Sequence, residues 1–552
     1  MKRALKKHLN NISISKNNFN FGMDIPLDWI KIKRKKNIIT NRLNCILFFI
    51  YFIFAIIICR TLFLSINFSF LNKKANNNFS NIRNFSRPDI TDRNGELLAV
   101  NLPTLDLYVE PHKIIYPERT AKELVKILPD LKYEDVLKKI KSDKKFSYLD
   151  RKISPSEREK LLMIGEPALG VKETDYRFYP QSNLFTHIIG NIDIDNKGTS
   201  GIEKYIDDNK LTNSKNPIVL SVDIYIQDAI RQNLINVMKQ FKAKSAAGIV
   251  MDVKTGEVLG MVSLPDFHNN DAKKLISSPL YNNHITLDVY EIGSVMKIFN
   301  TALAFENNYP KDKLFDVSKP FMIGNFRVKD SHPKKWKINI EEAFIYSSNI
   351  ASAMIAMELG ADRQTNFFKR LGFFSKMKFE LPEKGFPLFP KKWNDNVNAT
   401  SAYGYGISIS LLHTIAAVNA IINDGMYVNP TLIKRDKNKM LKSYQVVNSH
   451  TSEEIKKLMR LVITDGTGVK ANLKSIKAGG KTGTALKLID GKYNDKILRT
   501  FFVSIFPIED PKYTMLIMLD EANNNGCITS ACTTVPVSAK IIEDIIPKLN
   551  LN

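Results

Sequence analysis

Apolar and polar residues change their spacing several times along this chain, and each change marks an element. Ile218-Val219-Leu220-Ser221-Val222-Asp223 predicts a strand running into a helix from about Ile224 to Phe241. Ala246 to Val253 and Glu257 to Ser263 are apolar runs on either side of Lys254-Thr255-Gly256, which predicts a hairpin. Ile298 to Phe305 has apolar residues at helical spacing and no Gly or Pro, so it predicts a buried helix. Ile350 to Met357 predicts a second helix, of small residues that pack closely. Thr500 to Ile505 and Tyr513 to Leu519 predict two late strands, followed by a helix from about Val537 to Ile546. Strands at both ends with helices between them predict an α+β domain whose sheet is built from both ends of its segment.

Earlier in the chain the pattern is shorter and more polar. Arg87 to Ala99 predicts two short strands around an Asn94-Gly95 turn. Glu118 to Leu128, Tyr133 to Ile140 and Pro155 to Met163 predict amphipathic helices. Up to about residue 215 no group of residues suggests catalysis, so this part is expected to be a rigid stalk or docking module.

The longest apolar run is Cys45 to Ile66, 22 residues with one charge, Arg60. That length crosses a bilayer as a helix. Residues 1–44 carry eleven Lys/Arg against Asp24 and Asp28. Such a basic flank places the N-terminus in the cytoplasm and the remainder outside. The long basic lead and the lack of a small-x-small cleavage site predict an uncleaved single-pass anchor rather than a signal peptide. The expected organisation is therefore a basic tail (1–44), a membrane helix (45–66), a stalk (67–215) and a catalytic domain (216–552). The net charge of +24 invites a nucleic-acid reading, but Lys is spread over the whole chain and no nucleic-acid partner is expected. Eight scattered His and no Cys-x-x-Cys or His-Glu-x-x-His pattern predict no metal and no cofactor. Cys527 and Cys532 would lie outside, where a disulfide and two free thiols are both open.

Candidate chemistry centres on Glu291-Ile292-Gly293-Ser294-Val295-Met296-Lys297. Ser294 stands at the start of the buried helix, where it is expected to cap, and residues three apart share a helical face. A Lys one turn away can take the hydroxyl proton if it is neutral. Ser-x-x-Lys also occurs at Ser13, Ser142, Ser331 and Ser375, but only Ser294 opens a long apolar helix able to hold both groups in a dry site. Downstream, Ser347-Ser348-Asn349 precedes the small-residue helix, where a hydroxyl and a carboxamide can reach one cleft. Gly479-Gly480-Lys481-Thr482-Gly483-Thr484 then offers a cation, hydroxyls and a Gly that admits close backbone approach, on a strand expected to be exposed at a cleft. Of the two Lys-Thr-Gly copies, Lys254-Thr255-Gly256 is expected to be a hairpin turn and Lys481-Thr482-Gly483 the functional one.

Ser-x-x-Lys, Ser-x-Asn and Lys-Thr-Gly in this order resemble the penicillin-recognising acyl-serine transferases. The wider match is to class B penicillin-binding proteins, monofunctional peptidoglycan D,D-transpeptidases. It is carried by Asp92-Arg93-Asn94-Gly95, Tyr179-Pro180, Gly201-Ile202-Glu203, Thr255-Gly256-Glu257, Ser263-Leu264-Pro265, Asp330 with His332, Tyr403-Gly404-Tyr405-Gly406, Asn423-Asp424-Gly425 and Gly466-Thr467-Gly468. One departure is Ile292, where that family usually has Pro.

The resemblance implies a transpeptidase fold, an antiparallel sheet flanked by helices, on an elongated α+β stalk. It implies that Ser294 attacks the penultimate D-Ala carbonyl of a stem pentapeptide with Lys297 as base. Ser347 would relay a proton to the leaving amine, and Asn349 would hold the substrate amide. Lys481, Thr482 and Thr484 would anchor the terminal carboxylate, or that of a β-lactam, along a strand opened by Gly483. The backbone N–H groups of Ser294 and Thr484 would form an oxyanion hole. Expected partners are peptidoglycan stem peptides, β-lactams as covalent inhibitors, a separate glycan polymerase and division-complex proteins of the inner membrane. Septal synthesis is the expected role and elongation the alternative. A β-lactam sensor would be expected to carry several spans and an effector domain, and a β-lactamase a deacylating Glu, which the sequence does not reveal.

Overall fold

The computed structural model describes residues 48–58, 60–61, 87–269, 282–436, 438–523 and 526–549. The chain divides into two compact units, Met1–Asn84 and Phe85–Asn552. In the first, residues 48–58 and 60–61 are helical, with apolar side chains such as Phe48, Tyr51 and Phe54 exposed. The rest of the predicted span 45–66 lies outside the described residues, as do the basic tail, the Ser13 copy and the linker up to Ser86. Among the described residues no helix is long and apolar enough to cross a membrane.

The second unit holds a five-stranded antiparallel sheet in the order Gly479–Ile489, Lys492–Phe506, Tyr513–Asp520, Ser245–Asp252, Val258–Leu264. The two early strands of the segment thus join the three late ones, as the sequence predicts. The apolar runs are continuous because the sheet is covered on both faces. Alternate residues serve opposite layers: Ala247, Ile249, Met251, Val503, Leu516 and Met518 join one core, and Ala246, Val250, Phe502, Met515 and Ile517 the other. The second core is completed by helix Ile224–Phe241, through Ile226, Ile230 and Leu234, and by the C-terminal helix Thr534–Ile545. Asp223 caps the first of these, its Oδ1 accepting from Tyr225 N at 2.9 Å. On the other face lie helices Lys297–Glu306, Asn349–Leu359 and Leu411–Ile422. Burying a large apolar side chain is worth about 1.5–3 kcal/mol, so each layer is a strong constraint on the next.

The stalk is a second sheet, built around the long strand Leu97–Val109. That strand pairs with Ile90–Thr91, Ser147–Ile153 and Leu169–Phe178. Helices Pro117–Ile127 and Tyr133–Ile140 pack their apolar faces on it through Ala121, Leu124, Val136 and Ile140. Ile218–Val219 pairs in parallel with Ile90–Thr91, so the strand predicted over 218–223 is only two residues long and belongs to the stalk sheet. Leu220 N still donates to Thr91 O, and beyond it the chain turns away: Ser221 N donates to Leu432 O and Asp223 N to Leu259 O. The Asp92 carboxylate ties the turn between the two parts, accepting from Asn94 N at 2.7 Å and Ile224 N at 3.3 Å. Below it, Glu203 is fully buried and bridges two arginines, Arg87 Nε at 2.8 Å and Arg177 Nε at 2.6 Å.

Candidate active site

The site forms where the helix Lys297–Glu306, the start of helix Asn349–Leu359 and the edge strand Gly479–Ile489 meet. Ser294 does not cap the helix. It lies inside a tight helical turn, Gly293–Met296, that leads into it, and no side chain caps that turn. Its hydroxyl is instead held by Lys297. The turn presses against the edge strand: a side-chain carbon on Gly293, which has φ 53°, would fall 2.5 Å from Thr484 O, and one on Gly483 would fall 2.7 Å from Ile292 O. These two glycines let Ser294 and Thr484 come together. Ile292, in place of the family's Pro, is fully buried beneath the turn.

Lys297 Nζ has four oxygen neighbours: Ser294 Oγ at 2.7 Å, Asn349 Oδ1 at 2.7 Å, Ser347 O at 2.8 Å and Ser347 Oγ at 3.2 Å. Two of them, the Ser347 carbonyl and the Asn349 amide oxygen, can only accept. A neutral amine has two hydrogens for these and one lone pair, which then faces the hydroxyls. The geometry therefore suits an amine that takes a proton from Ser294. Burial, and then the charge of Lys481, hold Lys297 well below the usual lysine range, while the Asp330 carboxylate pulls it back up.

Lys481 is completely buried, although its strand lies at the sheet edge and is predicted to be exposed. The Ser294 turn and the loop Thr529-Ser530-Ala531 cover that edge. Ser530 Oγ donates to Gly483 O and lies 3.0 Å from Thr484 Oγ1. A disulfide joins Cys527 to Cys532 across this loop. Lys481 Nζ donates to Ser347 Oγ at 3.0 Å, and burial brings its pKa down to about 7. Ser347 itself has φ 61°, a left-handed conformation that few residues other than Gly adopt, and this turns its hydroxyl between the two lysines. Thr482 Oγ1 lies 2.7 Å from Thr467 Oγ1.

Ser294, Ser347, Asn349, Thr482 and Thr484 open onto one cleft of about 470 Å³, which also meets Asp330, Tyr403, Tyr405 and Thr467. The other Ser-x-x-Lys copies are arranged differently. Ser142 Oγ donates to Lys139 O, and Ser375 Oγ to Gly372 O. Ser331 reaches the cleft, but Lys334 Nζ lies over the Tyr346 ring at 4.2 Å. Lys254 sits in a surface hairpin turn and donates to Asp424 Oδ2 at 3.1 Å. The sequence alone gives no role to Tyr405, Thr467 or Ser530. Tyr405 and Thr467 stand in Gly-containing segments that carry the family resemblance, whereas Ser530 has only the flanking Cys527 and Cys532 as a signal. Tyr405 OH accepts from Leu486 N at 3.0 Å and so fixes the far end of the motif strand.

Residues 246–546 match the penicillin binding protein transpeptidase domain, and residues 83–223 the penicillin-binding protein dimerisation domain. The chain is 33% identical over 483 residues to the probable peptidoglycan D,D-transpeptidase FtsI of Caulobacter vibrioides, covering 84% of this chain and 82% of that protein. It is 28% identical to stage V sporulation protein D of Bacillus subtilis, covering 84% and 78%, and 24% identical to peptidoglycan D,D-transpeptidase FtsI of Escherichia coli, covering 84% of each. A crystal structure of a peptidoglycan synthetase from Bifidobacterium adolescentis shares the fold, with TM-score 0.67 and 16% identity over 85% of this chain and 96% of that one.

Proposed function

Because this chain belongs to the class B penicillin-binding proteins of the FtsI type, we infer that it is a peptidoglycan D,D-transpeptidase that cross-links stem peptides during septal wall synthesis. The observation that carries the mechanism is the 2.7 Å contact between Lys297 Nζ and Ser294 Oγ in a buried site that favours the neutral amine.

Ser294 Oγ attacks the carbonyl of the penultimate D-Ala as its proton passes to Lys297. The oxyanion that develops is met by the backbone N–H groups of Ser294 and Thr484, an arrangement commonly worth about 3–4 kcal/mol of barrier. When the peptide C–N bond breaks, the proton moves from Lys297 through Ser347 Oγ to the leaving D-Ala amine. The amine of a second stem peptide then attacks the acyl-serine, forms the new amide and returns the proton to Ser294. Lys481, with Thr482 and Thr484, holds the terminal carboxylate, and the same contacts receive a β-lactam. Asn349 Oδ1 fixes the base and one hydrogen of its Nδ2 goes to Lys329 O, which leaves the other for the substrate amide.

Around this site the remaining assignments form one arrangement. Residues 1–44 are a cytoplasmic tail, 45–66 a single inner-membrane helix, 67–215 the stalk and 216–552 the catalytic domain, which stands outside the cytoplasm. The apolar run, its basic flank and the Cys527–Cys532 disulfide support that topology. Glycan polymerisation falls to a separate membrane partner among the division proteins.

The test is peptide mapping of a fluorescent penicillin bound to the full-length protein. The label is expected on the peptide containing Ser294, and Ser294→Ala is expected to abolish labelling. A label on Ser331 or another serine overturns the assignment. Depletion is expected to give cells that elongate without septa, and swelling into spheres would move the protein to the elongation role.

A further inference from the structure

Asp330 takes no part in the chemistry just described, yet it holds the backbone of the helix start that carries Asn349. It lies in the loop after the short strand Phe326–Val328, half-buried at the cleft. Its Oδ1 accepts from Asn349 N at 2.5 Å and Ile350 N at 3.0 Å, and its Oδ2 accepts from Ser348 Oγ at 2.7 Å. The first N–H groups of a helix have no partner within it. Here Ser348 Oγ serves Ala351 N, and Asp330 serves the two before it from a different part of the chain. A negative charge also suits this positive helix end.

The neighbouring residue extends the grip. Asn349 Nδ2 donates to Lys329 O at 3.0 Å, which turns Oδ1 of the same amide towards Lys297. Ser347, in its left-handed conformation, is the residue just before the clamped segment. If the helix start were free to shift, Ser347 Oγ and Asn349 Oδ1 would leave Lys297 together.

Lys297 is also subject to opposed charges. Lys481 faces it from the edge strand, and Asp330 stands at the start of the facing helix. Lys329, His332 and Lys334 share the Asp330 loop, Glu291 precedes the Ser294 turn, and Asp465 lines the cleft.

We propose that Asp330 is a positioning residue for acylation, holding Ser347 and Asn349 around Lys297 through its cap on helix Asn349–Leu359 and setting the acid limb of the reaction by its charge. This rests on the acyl-serine reading, with Lys297 as the base. Removing the charge leaves Lys481 unopposed, so Lys297 stays neutral to lower pH.

The experiment is the second-order rate of acylation by a reporter penicillin against pH, in the full chain, for wild type, Asp330→Asn and Asp330→Ala. Asn keeps an oxygen that accepts from both backbone N–H groups and loses the charge together with the acceptor for Ser348 Oγ, so the cap on the two N–H groups remains and this variant is informative if Ala impairs folding. Asp330→Asn is expected to stay within about tenfold of the wild-type plateau, with its acid limb displaced downward by about one pH unit. Asp330→Ala is expected to lose about 100-fold across the range, the effect of a small displacement of catalytic groups. An Asp330→Asn acid limb that coincides with wild type, or an Asp330→Ala rate within about twofold of wild type, overturns the proposal. Wild type that is not acylated at Ser294 overturns the acyl-serine reading instead, so the two failures are distinct.

Discussion

Ser347 Oγ accepts from Lys481 Nζ at 3.0 Å while its carbonyl and hydroxyl oxygens both face Lys297. One serine thus links two buried lysines, and the proposed reaction requires them to carry different charges.

That difference gives the pH dependence a definite sign. Lys297 acts as base only when neutral, so acylation falls as pH drops through its depressed pKa. Lys481 anchors a carboxylate only when charged, so binding falls as pH rises through about 7. The rate constant for free enzyme and β-lactam is therefore expected to be bell-shaped, with its alkaline limb near pH 7. A bound carboxylate favours charged Lys481, so the alkaline limb of the first-order acylation step is expected at higher pH. Measuring both profiles checks this, and identical alkaline limbs would remove Lys481 from the anchor role.

The two Lys-Thr-Gly copies separate cleanly by substitution. Lys481→Ala is expected to slow acylation about 100-fold or more, because it removes a preorganised charge from a dry site. It is also expected to move the acid limb upward, since the Lys481 charge no longer depresses Lys297. Lys254→Ala removes an exposed ion pair with Asp424 and is expected to change stability by no more than about 0.5 kcal/mol, with acylation unchanged. Acylation rates of both variants, with their unfolding midpoints, decide the matter.

In the stalk, Glu203 lies between Arg87 and Arg177 with no exposure to water. Glu203→Gln leaves buried Arg177 without its counter-charge and Arg87 with Asp207 alone, and is expected to cost about 3–5 kcal/mol. Glu173→Gln, on an exposed position of the strand Leu169–Phe178, is expected to cost no more than about 0.5 kcal/mol. Denaturant midpoints of the two variants give the comparison, and equal midpoints would show that the buried network contributes nothing to stability.

Much of the fold could be read from local pattern. The hairpin at Lys254-Thr255-Gly256, the helix Tyr133–Ile140 and the late strands follow from spacing, because neighbours in sequence decide them. Pro155–Met163 is a helix but not the amphipathic one expected, since Leu162 and Met163 are exposed and the Ser154–Glu157 capping box starts it. The i, i+3 relation of Ser294 and Lys297 is local in the same way, and it puts hydroxyl and amine within reach before any other element is present. The role of Ser294 in its turn was not legible. A cap and a residue inside a tight turn have the same sequence signature, and the choice depended on the edge strand pressing against Gly293.

What only the tertiary structure decided is the state of the groups. Lys481 sits on an edge strand that its own sequence marks as open, and it is buried with its amine against Ser347 and the Phe344 ring, which come from a distant part of the chain. Ser347 and Asn349 come to Lys297 from about fifty residues away, and Asp330 reaches their helix from another loop. Sequence determines which chemical groups exist and which share one turn of helix. Burial and the convergence of distant charges, which set whether a lysine is a base or a cation, arise only when separate elements pack together.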